Sequence, residues 1–229
     1  MLPLTRHGTR EMVLGTIFLI VLGMLLAWVW WPLSFLIWPV LIWLFAFFRD
    51  PERPITAEPH LMVSPADGVV SDVQELPNHE LLGGPCLRIG IFLSVFNVHV
   101  NRSPCEGKVT QVLYKKGKFI NAMSHNAASS DNESNTIVIA DADEKPVAVV
   151  KQIVGLIARR IICTVKPGDT LARGQRFGMI KFGSRTELYI PLWLGPTAKV
   201  QVGQKVRGGL DVIATLKPES AAVPQTAGV

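Results

Sequence analysis

Three short segments of this chain carry residue types suited to covalent chemistry. Lys181-Phe182-Gly183-Ser184-Arg185 holds the only Gly-Ser dipeptide in a sequence with 19 glycines. Phe96-Asn97-Val98-His99-Val100-Asn101-Arg102 places a histidine in an apolar run that reads as strand. Ser64-Pro65-Ala66-Asp67-Gly68 is a turn presenting a carboxylate just ahead of a strand. A hydroxyl, an imidazole and a carboxylate are the parts of an activated nucleophile. Serine is weak until a base takes its proton, and the base is oriented and stabilised by an acid. Glycine before the serine leaves the preceding carbonyl unshielded and admits a strained turn. Each residue also has a plainer reading: Asp67 as a turn residue bonding its own backbone, His99 as a hydrogen-bonded strand histidine, Ser184 as a turn serine. Their order along the chain does not show that they meet.

The elements that must position them fall into two parts. The chain has 229 residues, 48% hydrophobic and only 18% charged, where about 25% charged is usual. The skew is local, because residues 12–48 carry no charge. Met12–Trp31 is a 20-residue apolar run, long enough to cross a bilayer as a helix. After Pro32, Leu33–Phe48 is a second run of 16 residues, interrupted by Pro39. Five tryptophans (Trp28, Trp30, Trp31, Trp38 and Trp43) crowd this region, as at a membrane interface. Arg6 and Arg10 precede it and Arg49 and Arg53 follow it. By the positive-inside rule both ends of a helical hairpin then lie in the cytoplasm, with the second run either spanning or lying at the interface. The apolar stretch is too long for a cleaved signal peptide, and Trp30-Trp31-Pro32 is no small-residue cleavage site.

From about residue 60, short β-branched runs alternate with Gly and Pro turns: Val69–Val73, Leu87–Leu93, Lys108–Tyr114, Thr136–Ala140, Val147–Val154, Ile157–Val165, Leu188–Pro191, Lys199–Val202 and Leu210–Leu216. Such spacing predicts an all-β sandwich or barrel. An internal repeat is visible. Val165, Gly168, Leu171 and Gly174 recur 35 residues later as Val200, Gly203, Val206 and Gly209. A weaker pair is Asp67-Gly68-Val69-Val70 with Glu106-Gly107-Lys108-Val109. The half-repeats resemble the barrel-sandwich hybrid of lipoyl and biotinyl carrier domains. The expected architecture is mainly β, a barrel-sandwich-hybrid-like domain preceded by the hydrophobic helical hairpin. Its expected divisions are a membrane-associated segment (1–48), a β catalytic domain (49–216) and a flexible tail (217–229).

The formal charge is +5, with Lys108, Lys115, Lys116 and Lys118 clustered and Arg159-Arg160 paired. These read either as solvated strand edges or as a surface for anionic lipid. No nucleic-acid motif accompanies them. Cys86, Cys105 and Cys163 are odd in number and lack a CxxC pair. That argues against a disulfide framework or a zinc site and for reduced, buried thiols; no metal is expected.

Ser-Pro-Ala-Asp-Gly at 64–68, Val-His-Val at 98–100, Asn132-Glu133 and Gly-Ser-Arg at 183–185 occur in this order. The ordered set closely resembles the short-chain, Gly-Ser-Arg branch of the phosphatidylserine decarboxylases, from residue 8 to about 216. The resemblance implies that the chain cuts itself between Gly183 and Ser184, with His99 and Asp67 as self-processing partners. Ser184 would become a covalent pyruvoyl cofactor. It further implies decarboxylation of phosphatidylserine to phosphatidylethanolamine at a cell membrane, on its cytoplasmic side. Two chains, 1–183 and 184–229, would stay associated; the oligomeric state is left open. Arg102 and Arg185 read either as contacts to the substrate phosphate or as surface or structural arginines, the commoner role. One departure is Phe96, where longer-chain members often carry a further histidine. A pyruvoyl ketone supplies the electron sink that pyridoxal phosphate usually provides. Two other readings stay open: a membrane-anchored carrier or adaptor, which should show a modified Lys in Asp-Lys-Ala or Met-Lys-Met and does not, and a membrane serine hydrolase that keeps Ser184 in an intact chain.

Overall fold

The computed structural model describes residues 3–56, 58–118, 131–155, 160–181 and 184–217. The expected scissile residue Gly183, the tail beyond residue 217 and the start of the expected strand Ile157–Val165 lie outside the described residues.

The two apolar runs form helices α1 (Thr9–Val29) and α2 (Ile37–Phe47), joined by a 3-10 turn over Trp31–Leu36. Pro39 is tolerated because it falls in the first turn of α2. Side chains added at Gly8, Gly15 and Gly23 would meet Phe48, Leu44 and Ile37. Small residues on one stripe of α1 therefore let α2 run back alongside it. The hairpin is closed at its base, where the Thr5 N–H donates to the Phe48 carbonyl at 2.9 Å and the Asp50 N–H to the Pro3 carbonyl at 2.7 Å. Chain entry and exit thus lie side by side. At 1.5 Å per residue α1 is about 30 Å long, the thickness of a bilayer's hydrocarbon core. Its outer face is bare: Phe18 is 65% exposed and Trp28, near the tip, 86%.

The rest is mainly β, as expected. One curled sheet of eight strands has the order β13-β2-β3-β11-β7-β6-β5-β9. Its strands are β2 (Gly68–His79), β3 (Gly84–Leu93), β5 (Gly107–Lys115), β6 (Ser134–Ala140), β7 (Pro146–Val154), β9 (Thr170–Leu171), β11 (Ser184–Pro191) and β13 (Lys205–Val206). Two small sheets accompany it, β1 (Leu61–Val63) with β14 (Val212–Thr215) and β12 (Thr197–Ala198), and β4 (Val100–Arg102) with β10 (Arg176–Lys181) and β8 (Arg160–Cys163). Period-two alternation divides the faces. Ile89, Ile91 and Leu93 of β3 and Leu188 and Ile190 of β11 enter one apolar core, while Arg185, Glu187 and Tyr189 alternate with them.

Two expected strands are corrected. Lys199–Val202 is not strand: the Gln204 N–H donates back to the Gln201 carbonyl and Gly203 sits at φ +88°, so this stretch turns between β12 and β13. Phe96–Arg102 is strand only from Val100, because Asn97 Oδ1 accepts from both the N–H and the hydroxyl of Ser94 and closes a turn.

The repeat is real in space. β9 pairs with the start of β5 (Gly107↔Leu171) and β13 with the start of β2 (Gly68↔Val206). Gly168 donates to the Val109 carbonyl as Gly203 donates to that of Val70; Gly174 donates to Ser103 as Gly209 donates to Ser64. All four repeat glycines have positive φ, a region closed to most side chains. Ser64-Pro65-Ala66-Asp67-Gly68 and Ser103-Pro104-Cys105-Glu106-Gly107 are therefore equivalent turns, with Asp67 and Glu106 at matching positions.

Candidate active site

Ser184 is the first residue of β11, the strand gripped between β3 and β7, where it pairs with Leu93 and Val154. It is fully buried. Its Oγ has no hydrogen-bond partner among the described residues. An orphaned buried hydroxyl costs about 1–3 kcal/mol, and such groups in native interiors call for a reason. Asn132 and Glu133 brace the neighbouring end of β7. Asn132 Nδ2 donates to the Val154 carbonyl at 2.8 Å, and the Val154 N–H donates to the Glu133 carbonyl.

His99 lies immediately before β4, also fully buried. Its carbonyl accepts from the N–H of Ile180 on β10, and β10 is the strand that leads through residues 182–183 into Ser184. Its Nδ1 is 2.9 Å from the Asn97 carbonyl. A carbonyl only accepts, so Nδ1 carries the proton and Nε2 presents a lone pair. That Nε2 has no hydrogen-bond partner among the described residues. The ring leans on Phe47 of α2, centroids 4.2 Å apart. Burial pushes the His99 pKa down to about 4; the nearby Arg49 adds to the depression, against weaker pulls from the Asn97 carbonyl and Asp67. The imidazole is therefore neutral near pH 7, with a vacant acceptor.

A chain of buried amides locks these strands together. Asn135 donates to Gln152 at 3.0 Å, Gln152 to Asn101 at 2.9 Å and Asn101 to Thr186 at 3.1 Å. Asn101 lies two residues beyond His99 and Thr186 two beyond Ser184, so the bond ties β4, which follows His99, to β11, which begins at Ser184. Fully satisfied buried networks of this kind specify one arrangement.

Asp67 is buried but does not bond to His99. Its carboxylate takes a forked pair of bonds from Arg53, at 2.6 and 2.9 Å, and one from the Gly208 N–H at 2.8 Å. Its influence on His99 is that of a nearby charge. Arg102 and Arg185, weighed as phosphate contacts or as surface or structural arginines, both have hydrogen-bond partners inside the fold. Arg102 donates to Asp50, the Pro51 carbonyl and the Gly174 carbonyl at 2.9–3.1 Å. Arg185 donates to Glu187 at 2.8 Å, to Ser71 at 2.6 Å and to Asp72. Breaking a buried pair of this kind on one side costs about 3–5 kcal/mol.

Sequence reasoning missed Arg53, Asn101, Gln152 and Phe47. Asn101 and Gln152 had a signal, as lone amides in apolar strand runs. Arg53 and Phe47 had none, since their partners are far along the chain.

The model of the phosphatidylserine decarboxylase family matches residues 40–214. The chain is similar to curated proteins named phosphatidylserine decarboxylase proenzyme. That of Ruegeria pomeroyi is 47% identical over 194 residues, covering 80% of this chain and 87% of the relative. That of Burkholderia multivorans is 46% identical over 187 residues, covering 82% and 83%. That of Cereibacter sphaeroides is 47% identical over 201 residues, covering 86% and 85%.

Proposed function

Since the chain belongs to the phosphatidylserine decarboxylase family, we propose that it decarboxylates phosphatidylserine after cutting itself at Gly183-Ser184 and converting Ser184 to a pyruvoyl group. The observation that carries this reading is that two buried atoms, Ser184 Oγ and His99 Nε2, lack a hydrogen-bond partner among the described residues, on segments joined by the Asn101–Thr186 bond.

His99 Nε2 takes the Ser184 proton, and Ser184 Oγ attacks the Gly183 carbonyl. The Gly183-Ser184 amide becomes an ester with a free amine on Ser184. Loss of the Ser184 Cα proton expels the Gly183 carboxylate from Cβ and leaves dehydroalanine at residue 184. Tautomerisation, addition of one water and loss of ammonia give the pyruvoyl ketone. The former Cβ is then a methyl group, and Oγ has left as part of the Gly183 carboxylate, so position 184 no longer carries a buried hydroxyl. Asp67 acts on His99 as a fixed negative charge, steadied by Arg53, that favours the imidazolium while it exists. The pyruvoyl carbonyl supplies an electron sink for the carbanion left as carbon dioxide departs. Ser184 is itself fully buried, which keeps water away from that carbanion.

The two chains stay together because the cut separates strands of different sheets. Residues 184–217 supply β11, β12, β13 and β14, and β11 is paired on both sides with strands of the larger chain. Purified mature protein is expected to give two masses, residues 1–183 and residues 184–229, the second lighter than its serine-started form by the elements of ammonia. A single uncut chain in active protein would end this reading and favour a serine hydrolase.

The substrate's acyl chains remain in a membrane, and α1 with α2 is placed to hold the site there, with the β domain on the cytoplasmic side. The clamped hairpin base and the arginines on both flanks support this orientation. Protease added outside intact cells should leave the β domain whole; digestion would reverse the orientation.

A further inference from the structure

Lys181 is the last residue of β10, directly before residues 182–183 and Ser184. Its side chain is only 5% exposed, and its ammonium meets the Glu11 carboxylate of α1 at 2.5 Å. The same ammonium lies over the ring of Phe48, 5.9 Å from its centroid, just past the end of α2. Across the strand pair, Lys181 stands opposite Arg160 of β8, whose charge also reaches Glu11. Glu11 is therefore the carboxylate that balances two cations where the cleavage strand ends. Met179, two residues earlier, packs into the apolar cluster of Met12, Leu44, Phe47 and Phe48. His99 is held from the same side by Phe47. The hairpin base thus touches both the strand that delivers the scissile bond and the imidazole that would activate Ser184.

We propose that Glu11 is a positioning residue for self-cleavage: through Lys181 it fixes the end of β10, so that seating of the hydrophobic hairpin sets the scissile bond against His99. This rests on the self-cleavage reading above. Without the carboxylate, a buried ammonium is left uncompensated and must turn outward, drawing the end of β10 with it. Small misplacements of reacting groups are costly, with 1 Å costing about a hundredfold at the extreme.

The test uses the full chain synthesised in the presence of phospholipid vesicles, following conversion of the uncut chain with time. Glu11→Gln keeps the size and polarity of the side chain and removes its charge. It is expected to slow cleavage about tenfold, while Glu11→Asp, which keeps the charge, restores a rate between the two. Melting temperatures are read in the uncleavable Ser184→Ala background, where Glu11→Gln should lower the melting point only as far as an ammonium that can turn outward requires, and cleavage rates are compared per folded molecule. Cleavage of Glu11→Gln at the wild-type rate per folded molecule would overturn the proposal. So would a slowing matched by an equal loss of folded protein, which would mark a purely structural pair. If the wild-type chain itself stays uncut, the self-cleavage reading has failed, which the wild-type lane shows independently of any variant.

Discussion

Ser184→Ala is expected to yield one uncut chain of 229 residues and decarboxylation no faster than background. Alanine has no oxygen to attack the Gly183 carbonyl, so the ester cannot form, and without the ester no ketone arises at position 184. The loss should be complete rather than partial, because no neighbouring group can supply the electron sink. Stability should move the other way. Ser184 Oγ is buried and unpartnered, and exchanging such a hydroxyl for an apolar group is neutral or favourable. The uncut variant should therefore melt no lower than a wild-type proenzyme captured before cleavage. A gel and a thermal melt read both outcomes. Cleaved chains from Ser184→Ala would place the scissile bond elsewhere, and a markedly lower melting temperature would show that the hydroxyl has a partner after all.

His99→Ala is expected to leave nearly all of the protein uncut, because it removes a buried, unprotonated imidazole nitrogen on a segment hydrogen-bonded to the strand that leads to the cut. The wild-type pH profile gives a second reading of the same group. Its pKa is lowered from 6.5 to about 4 by burial, so the neutral form persists well below pH 6. Cleavage should then be nearly independent of pH from about 6 to 8 and fall only as the pH approaches about 4. A base this weak takes a serine proton uphill, which is tolerable for an event that happens once per molecule. Stability follows the linkage sign for a depressed histidine. Between the unfolded value of 6.5 and the folded value near 4, the unfolded chain binds a proton that the folded chain refuses. Acid therefore destabilises the fold across that window, and the penalty is absent above it. A cleavage midpoint near pH 6.5 would mean that His99 titrates as an exposed imidazole, and normal cleavage in His99→Ala would remove it from the mechanism.

Much of this was legible along the chain because it depends on neighbours in sequence. The apolar runs needed only their length and lack of charge to become α1 and α2. The glycines at 168, 174, 203 and 209 needed only their spacing to announce a repeated turn, and positive φ at each is what their lack of a Cβ permits. Gly183-Ser184 stood out by composition alone. The environment of each reactive group was not legible, because it is set by residues brought in from far away. Asp67 looked like the partner of His99, yet its carboxylate is held by Gly208, 141 positions later, and by Arg53. Arg102 and Arg185 could be read as phosphate contacts or as structural arginines. Sheet order put Asp50 and Gly174 beside one and Asp72 and Glu187 beside the other. The meeting of Glu11 with Lys181 spans 170 positions. Composition and local spacing determined which elements form and which residues have reactive chemistry. Only the packing of the hairpin and the sheets decided which charges are neutralised and which hydroxyl is buried without a partner, because burial and long-range hydrogen bonding are properties of contacts and not of order along the chain.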